Sequence, residues 1–409
     1  MVISLKRFLI FVTIIGAFIS LVACNLPSRQ SSGGLFEYEL IPVKEAGLWG
    51  YINALGEWVI EPEFEDAYPF DSSGLAMVLF GGQYGYIDTS GRFAITPQFD
   101  YAMPFYGKDE AVIAKIVQGN LSFGFIDQSG LLLFTPRFEW AFPFINGTAL
   151  VIHQDAFGFI DTSGNFIIQA EFDLAYPFFN AEHTVIQKSG MYGYIFAEGT
   201  SMITPQFESA DLFNGEAARV SFDRRFGYIN REGRYIINPI YFYAQPYRAN
   251  TNLLIADASG RYGFINQTGD PIVRPRYADA GTFGNFGLAP VLSNDAYGYI
   301  DANGSFAISP RFDYALPFVG DLAIVVENNR FGFINQQGQY VINPRFTDVS
   351  MFSLDGYAFA QNTSGLYGLI DRTGNFIISA RYEDYRLPYR WLGQSYDDYL
   401  RTFFLLLVE

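Results

Sequence analysis

Residues 84–100, YGYIDTSGRFAITPQFD, and residues 157–173, FGFIDTSGNFIIQAEFD, are nearly the same phrase written twice. The phrase recurs ten times. Each copy opens on an aromatic–Gly pair, at Trp49, Tyr84, Phe123, Phe157, Tyr192, Phe226, Tyr262, Tyr297, Phe331 and Tyr367, with successive openings 34 to 39 residues apart. A period of this size restricts the chain to an array of supersecondary units, none of which can bury its apolar face alone. The longest interval falls in the second copy, where extra residues concentrate at 108–121.

Each unit has a readable local structure. In Tyr84-Gly85-Tyr86-Ile87 the two tyrosines alternate with Gly85 and Ile87, which is the period of a strand. Asp88-Thr89-Ser90-Gly91 supplies a turn, in which the Asp bonds its own backbone and the Gly takes the left-handed conformation. A second strand follows and is expected to stop at Pro97. A third apolar stretch, such as Ala-Ile-Val-Val-Glu at 323–327, precedes the next hairpin. The glycine after each leading aromatic leaves room for a ring from a neighbouring strand or unit to lie across the backbone. Three short strands per unit and almost no helix are expected, with the aromatics buried between units.

Composition supports a packed array and removes several functions. Half the residues are hydrophobic, with 42 Phe and 28 Tyr, so the chain has ample apolar surface to bury. The formal net charge of −16 argues against a nucleic-acid binder, which needs a basic face. One cysteine and two histidines, His153 and His183, exclude an internal disulfide and a Cys/His zinc cluster.

Residues 1–24 read MVISLKRFLIFVTIIGAFISLVAC. Lys6 and Arg7 precede an uncharged apolar run of sixteen residues, 8–23, short for a membrane span and typical of a signal peptide. The run ends in Leu21-Val22-Ala23-Cys24, which resembles the lipobox of bacterial lipoproteins; that resemblance implies lipidation of Cys24. Asn25 stands where an inner-membrane retention signal would carry Asp, which directs the expectation toward an outer membrane or cell surface. The implied organisation is a signal peptide at 1–23, the lipidated cysteine and a flexible tether at 24–42, ten repeats at 43–389 and a C-terminal cap at 390–409. Trp391, Leu392, Tyr399, Phe403 and Phe404 are the apolar residues of that cap.

The segment LWGYINALGEWVIEPEFEDAYPF, residues 48–70, resembles the WG repeat, a bacterial β-rich repeat family named for its Trp-Gly pair. Trp49-Gly50 carries the pair, and Tyr51-Ile52, Gly56, Pro62, Phe64, Ala67 and Phe70 carry the rest of the pattern. The other nine copies have Tyr or Phe in place of Trp, and the tenth decays after Tyr382. The resemblance spans roughly residues 48–385. It implies an extracytoplasmic scaffold or adaptor and transfers no catalytic residue.

Candidate sites are few. Nine copies place Asp or Asn at the fifth position, from Asn53 and Asp88 to Asp371, while the fifth copy has Phe196. One carboxylate per turn falls short of the six or more oxygens calcium wants, so these side chains are expected to build turns, and no metal or cofactor is assigned. Arg137, Arg276, Arg311 and Arg345 recur at one repeat position, where they could form ladders with acids such as Glu139 and Asp313; the alternatives are a binding stripe and a solvated edge with weak ion pairs. Tyr101, Tyr106, Trp140 and Tyr314 lie where the repeat does not demand an aromatic, and are the candidates for contact with sugar rings. His153 and His183 lack an acidic constellation, and no hydrolase or nucleotide motif occurs, so no catalytic residue is assigned.

The expected molecule is an all-β tandem array of ten units, an elongated twisted solenoid or, alternatively, a closed propeller-like ring. The expected function is a non-catalytic binding scaffold for envelope proteins, with binding spread over variable loops such as 108–121. The alternative is recognition of a cell-wall or surface glycan through exposed aromatics.

Overall fold

The computed structural model describes residues 40–387, apart from 107, 180–181, 285 and 354. The described residues form strands and turns, without helix, in ten antiparallel sheets, eight of four strands and two of three. Around Tyr84 the strand order is Asp66–Ala67, Ala76–Phe80, Gln83–Ile87 and Phe93–Phe99. In the third sheet the last strand is reduced to the bridges Phe123–Phe138 and Ile126–Leu132, and in the eighth the first is reduced to Ala280–Val291. The insertion in the second copy does not form a loop: it lengthens a hairpin to two eight-residue strands, Glu110–Val117 and Asn120–Asp127.

Pro97 does not end its strand. Tyr84 pairs with Phe99 but Tyr86 pairs with Ile95, so Gly85 alone opposes the three residues Thr96, Pro97 and Gln98. Pro97 sits in that bulge, where the ladder lacks a bond and a missing N–H costs nothing. The bulge also explains the glycine of the opening pair. A Cβ on Gly85 would lie 2.7 Å from both the Ile95 carbonyl oxygen and the Pro97 nitrogen. Backbone, and not the expected aromatic ring, lies across this glycine. Gly227→Ala, with Cβ 2.5 Å from the Ile237 oxygen and 2.6 Å from the Pro239 nitrogen, should destabilise by about 3 kcal/mol. Gly260→Ala, at φ +72° with nothing within 4 Å, should lose only about 1 kcal/mol, from its left-handed backbone. Equal shifts in the urea midpoints of the two variants would remove the bulge from this explanation.

The chain passes from sheet to sheet across a single residue. Phe99 ends one sheet, Tyr101 opens the next, and the Asp100 amide between them donates to Ala114 O at 3.1 Å. The intervening residue is usually acidic, and its carboxylate accepts amide hydrogens from the turn of the next hairpin. Examples are Gly82 N to Glu65 Oε1 at 3.1 Å and Gly190 N to Asp173 Oδ2 at 2.9 Å, while in the lengthened hairpin Asp100 Oδ2 accepts from Ile116 N in the strand at 2.8 Å. Several of these turns hold non-glycine residues at positive φ, among them Asp223 and Arg224, and the Glu208 carboxylate accepts from the Arg224 amide at 2.7 Å.

Neighbouring sheets meet through one repeated contact. The third residue of the bulged strand packs on the turn glycine of the next unit: Ile60 on Gly91, Ile95 on Gly130, Ile168 on Gly199, Ile342 on Gly374. Beneath it, five buried tyrosines donate to backbone oxygens seventeen residues on, at 2.7–2.8 Å: Tyr51 to Tyr68, Tyr86 to Met103, Tyr194 to Asp211, Tyr228 to Gln245 and Tyr299 to Leu316. The closing Phe of the motif packs against the same ring, with centroids 4.9 Å apart for both Tyr51–Phe70 and Tyr86–Phe105.

The tenth such contact joins the two ends. Ile378 packs on Gly56, the Trp58 and Tyr382 rings meet at 5.9 Å, and the short strand Asp384–Tyr385 pairs with Ile41–Glu45. The array is therefore a closed ten-sheet ring. The solenoid expectation fails because each one-residue crossing turns the chain into the next sheet until the last short strand completes the first. The expected cap, residues 390–409, lies outside the described residues. Ile41 and Pro42, assigned to the tether, belong to the first sheet. The remainder of that tether, Cys24 and residues 1–23 lie outside the described residues.

Candidate functional site

The motif side chains that looked available for chemistry are largely consumed by the ring. Asp88 Oδ1 accepts from the amides of Ser90 and Arg92 at 2.8 and 3.2 Å, and Asn53, Asp161, Asn230, Asp301 and Asn335 do the same in their turns. Hydroxyl donation from Ser90, Ser129 and Thr373 holds the carboxyls of Asp88, Asp127 and Asp371 below their ordinary range. These are turn-building acids, as expected. Among the described residues no group of three His, Cys, Asp or Glu is placed to hold a metal ion.

The arginines form neither an ion-pair stripe nor a free edge. Arg137 donates to Gly164 O at 2.5 Å, Arg381 to Gly56 O at 2.8 Å, and Arg311 and Arg345 to Gly338 and Gly374 O. Each guanidinium thus reaches across a joint to the turn of the next unit, lying over its own following ring, as Arg137 does over Phe138 at 5.2 Å. Glu139 and Asp313, their proposed partners, instead accept the turn amides of Gln154, Asp155 and Asn328. The shared repeat position was visible in sequence; the direction of the contact, to a backbone oxygen in the next sheet, was not.

Two more guanidiniums sit inside joints. Arg386 donates to Ala67 O at 2.8 Å, pairs with Asp66 at 2.7 Å and lies 4.7 and 4.1 Å from the rings of Trp49 and Tyr68. Arg219 pairs with Asp211 at 2.8 Å and donates to Ala244 O. Neither was singled out from the sequence, since each occurs once at its repeat position.

His153 and His183 stand at opposite ends of adjacent hairpins. His153 pairs with Ala156 beside the turn, and His183 with Phe196 at the far end. His183 is buried against Phe213, centroids 5.3 Å apart, and burial lowers its pKa. The two imidazoles make no joint site.

Of the aromatic candidates, the ring brings two together. Tyr101 and Trp140 lie 5.8 Å apart, with Tyr84 at 6.2 Å from Tyr101 and Phe123 at 4.6 Å from Trp140. Both are half-buried, and burial pushes the Tyr101 hydroxyl pKa up. Tyr314 is 44% exposed and meets Tyr297 at 5.1 Å, as Tyr243, 37% exposed, meets Tyr262 at 5.8 Å. Tyr106 takes a positive φ of 56° in a turn, packs beside Ile145 and borders the same core cluster as Tyr101 and Trp140. Tyr101, Trp140 and Tyr314 open the short strands of their sheets, a position the sequence left unread because those strands are two residues long.

A surface feature that the repeat pattern did not announce lies on the bulged strands. Their second residue is open to solvent and apolar in most units: Val59, Ile167, Ile236, Ile272, Val341 and Ile377 are 36–46% exposed. Alternation along the strand assigns the buried face to the joint, so these residues have no internal role in it.

Among solved structures, the chain resembles a crystal structure of the eukaryotic initiation factor, at 10% identity over 87% of this chain and 98% of that one, with TM-score 0.48. It also resembles Hsv2p of Kluyveromyces lactis, at 8% identity over 55% and 89% of the two chains, with TM-score 0.34. PorZ of Porphyromonas gingivalis, a bacterial surface component of the type-IX secretion system, gives 11% identity, 80% and 52% coverage and TM-score 0.26. All three TM-scores fall below 0.5, so the ring is assigned from its own strand pairing. No curated protein matches the sequence. The family described as "WG containing repeat" matches residues 49–84, 84–121, 123–153, 157–190, 226–254, 262–295, 297–331, 331–364 and 367–388. The unmatched copy is the one opening at Tyr192, whose turn has Phe196 instead of Asp or Asn. On these matches, which cover most of the ring, the chain belongs to the WG-containing-repeat family.

Proposed function

We propose that the protein is a non-catalytic binding scaffold of the cell envelope, exported by residues 1–23, held to a membrane through lipid on Cys24, and engaging other envelope proteins with the outer face of the ring. The observation that carries this reading is the row of exposed Val and Ile on the bulged strands, set against a repeat motif whose polar side chains are spent on joints and turns. An apolar row repeated around a rigid ring offers an extended face to a protein surface, while scattered turn acids offer no paired acid and base. The lengthened hairpin of the second copy adds Ile116 and Leu121, 64% and 39% exposed, to the apolar surface. Each bulged strand is an edge of its sheet, and a bulged edge disfavours strand addition and leaves side-chain contact as the mode.

Exposed Tyr314 and Tyr243, packed on buried Tyr297 and half-buried Tyr262, favour a second reading, recognition of a wall or surface glycan. Co-sedimentation of purified protein with isolated cell-wall material, before and after proteins are stripped from it, separates the two. Binding that disappears on stripping, and that Ile167→Asp with Ile236→Asp and Ile377→Asp abolishes without changing the melting temperature, is the expected result. Binding that survives stripping and is lost in Tyr314→Ala sinks the protein reading in favour of the glycan.

A further inference from the structure

One of the ten joints departs from the others in three ways at once. Where nine joints place Ile or Phe on the turn glycine, the seventh places Val273 on Gly304. The next residue along the bulged strand is Arg274, where the other units have Glu61, Thr96, Thr135, Gln169, Thr204, Asn238, Ser309, Asn343 and Ser379. The joint arginine is also slack: Arg276 lies 3.5 Å from Gly304 O, against 2.5 Å for Arg137 to Gly164 O and 2.8 Å for Arg381 to Gly56 O.

These departures meet in one place. A shallow cleft of about 330 Å³ opens there, with Val273 and Pro275 among its walls and Arg274, Arg276 and Asn303 on its rim. Arg274 is exposed and makes no hydrogen bond or ion pair among the described residues, and Arg276 keeps guanidinium donors beyond those given to Tyr277 Oη at 2.9 Å and to Gly304 O. Neighbouring acids are occupied, and Asp279, three residues from Arg276, accepts from the Tyr297 hydroxyl. Asp301 Oδ1 accepts the amides of Asn303 and Ser305, and Asp270 Oδ2 accepts from Asn266 and Thr268. Val273 lacks the methylene that Ile carries at the other joints, and the two guanidiniums on the cleft supply donors that match the planar or tetrahedral oxygens of an anion.

We infer that this cleft is a binding site for a small oxyanion, the carboxylate of an acidic sugar or a phosphate group. The cleft adjoins the apolar row at Ile272 and does not include the Tyr314 pair; it relies on the two arginines, so it stands whichever partner the ring engages. A volume near the lower limit for small-molecule pockets, about 300 Å³, accommodates one sugar-sized unit and no more. An exposed pair of guanidiniums binds an anion weakly and loses it as salt screens the charges, so a Kd on the order of 1 mM at low ionic strength is expected.

The test is saturation-transfer NMR on the purified full-length chain with galacturonate, inorganic phosphate and neutral galactose as separate probes. Signal from galacturonate, phosphate or both, with none from galactose, is the expected result, and which anion responds distinguishes a carboxylate source from a phosphate source. Arg274→Gln should weaken binding at least tenfold. Val273→Ile, which places in the cleft the residue eight other joints already use, should do the same with no loss of melting temperature. Arg311→Gln, one joint away, should leave binding unchanged. Failure of both anions to bind, equal binding of galactose, or binding indifferent to Arg274→Gln and Val273→Ile would overturn the assignment.

Discussion

In a variant carrying Lys44→Cys and Asp384→Cys, with Cys24 replaced by Ser, mild oxidation should produce one intramolecular disulfide in nearly every molecule. Lys44 and Asp384 are directly opposed across the closing strand pair, one half-buried and the other exposed, so both positions tolerate the change. Opposed antiparallel residues have Cα separations of about 4.5–5.5 Å, inside the range a disulfide spans. The closed loop runs from 44 to 384, and the chain-entropy account gives such a long loop a stabilisation of about 6 kcal/mol, an upper figure for an engineered bond. The measurement is mobility on a non-reducing gel together with the melting temperature before and after reduction. Intermolecular dimers in place of the internal bond would mean that the ends stand apart, and would restore the open solenoid.

The second large effect is alkaline. Burial raises the hydroxyl pKa of Tyr51, Tyr86, Tyr194, Tyr228 and Tyr299 above the ordinary tyrosine value, desolvation being the first cause in each. In the unfolded chain these groups ionise near pH 10, while in the ring they keep their protons and donate to backbone oxygens. Their contribution to stability is therefore complete below about pH 10 and is lost as pH rises from there towards the folded values. Each tyrosine lowers the stability by about 1.4 kcal/mol per pH unit in that window, and five acting together by about 7. Unfolding should be abrupt just above pH 10, with tyrosinate absorbance appearing at the same pH as loss of near-ultraviolet circular dichroism. Absorbance that grows gradually while the dichroism persists would show that these hydroxyls titrate in the folded ring, and the buried donors would then be wrongly placed.

The hairpin of each unit was legible because its signals are local. Alternation at Tyr84-Gly85-Tyr86-Ile87 and the Asp88 turn each involve residues within a few positions of one another, and both occur where expected. The fourth strand was not legible, because Asp66–Ala67 and its counterparts are too short to show a period. Pro97 was misread as a stop, since a proline inside a bulge and a proline after a strand look alike in one dimension. Closure was undecidable for a related reason. Ring and solenoid use the same unit and the same joint, and only the pairing of Asp384–Tyr385 with Ile41–Glu45 separates them. Tyr101, Trp140 and Tyr314 were picked as aromatics outside the repeat consensus; they share one structural position, and only Tyr101 and Trp140 are brought into contact.

The joint between the chain ends is chemically the same as its neighbours but differs in connectivity. Arg137 and Gly164 are 27 residues apart, whereas Arg381 and Gly56 are separated by 325. Loop-closure entropy makes the longer connection about 2 kcal/mol costlier to form. The molecule therefore has a seam, the place where it parts first on warming or under pull, and the position of that seam is fixed by where the polypeptide happens to begin and end. A circular permutant with its ends moved into the turn at Ser259-Gly260 would keep all ten joints intact and carry the seam to the sheet around Tyr262.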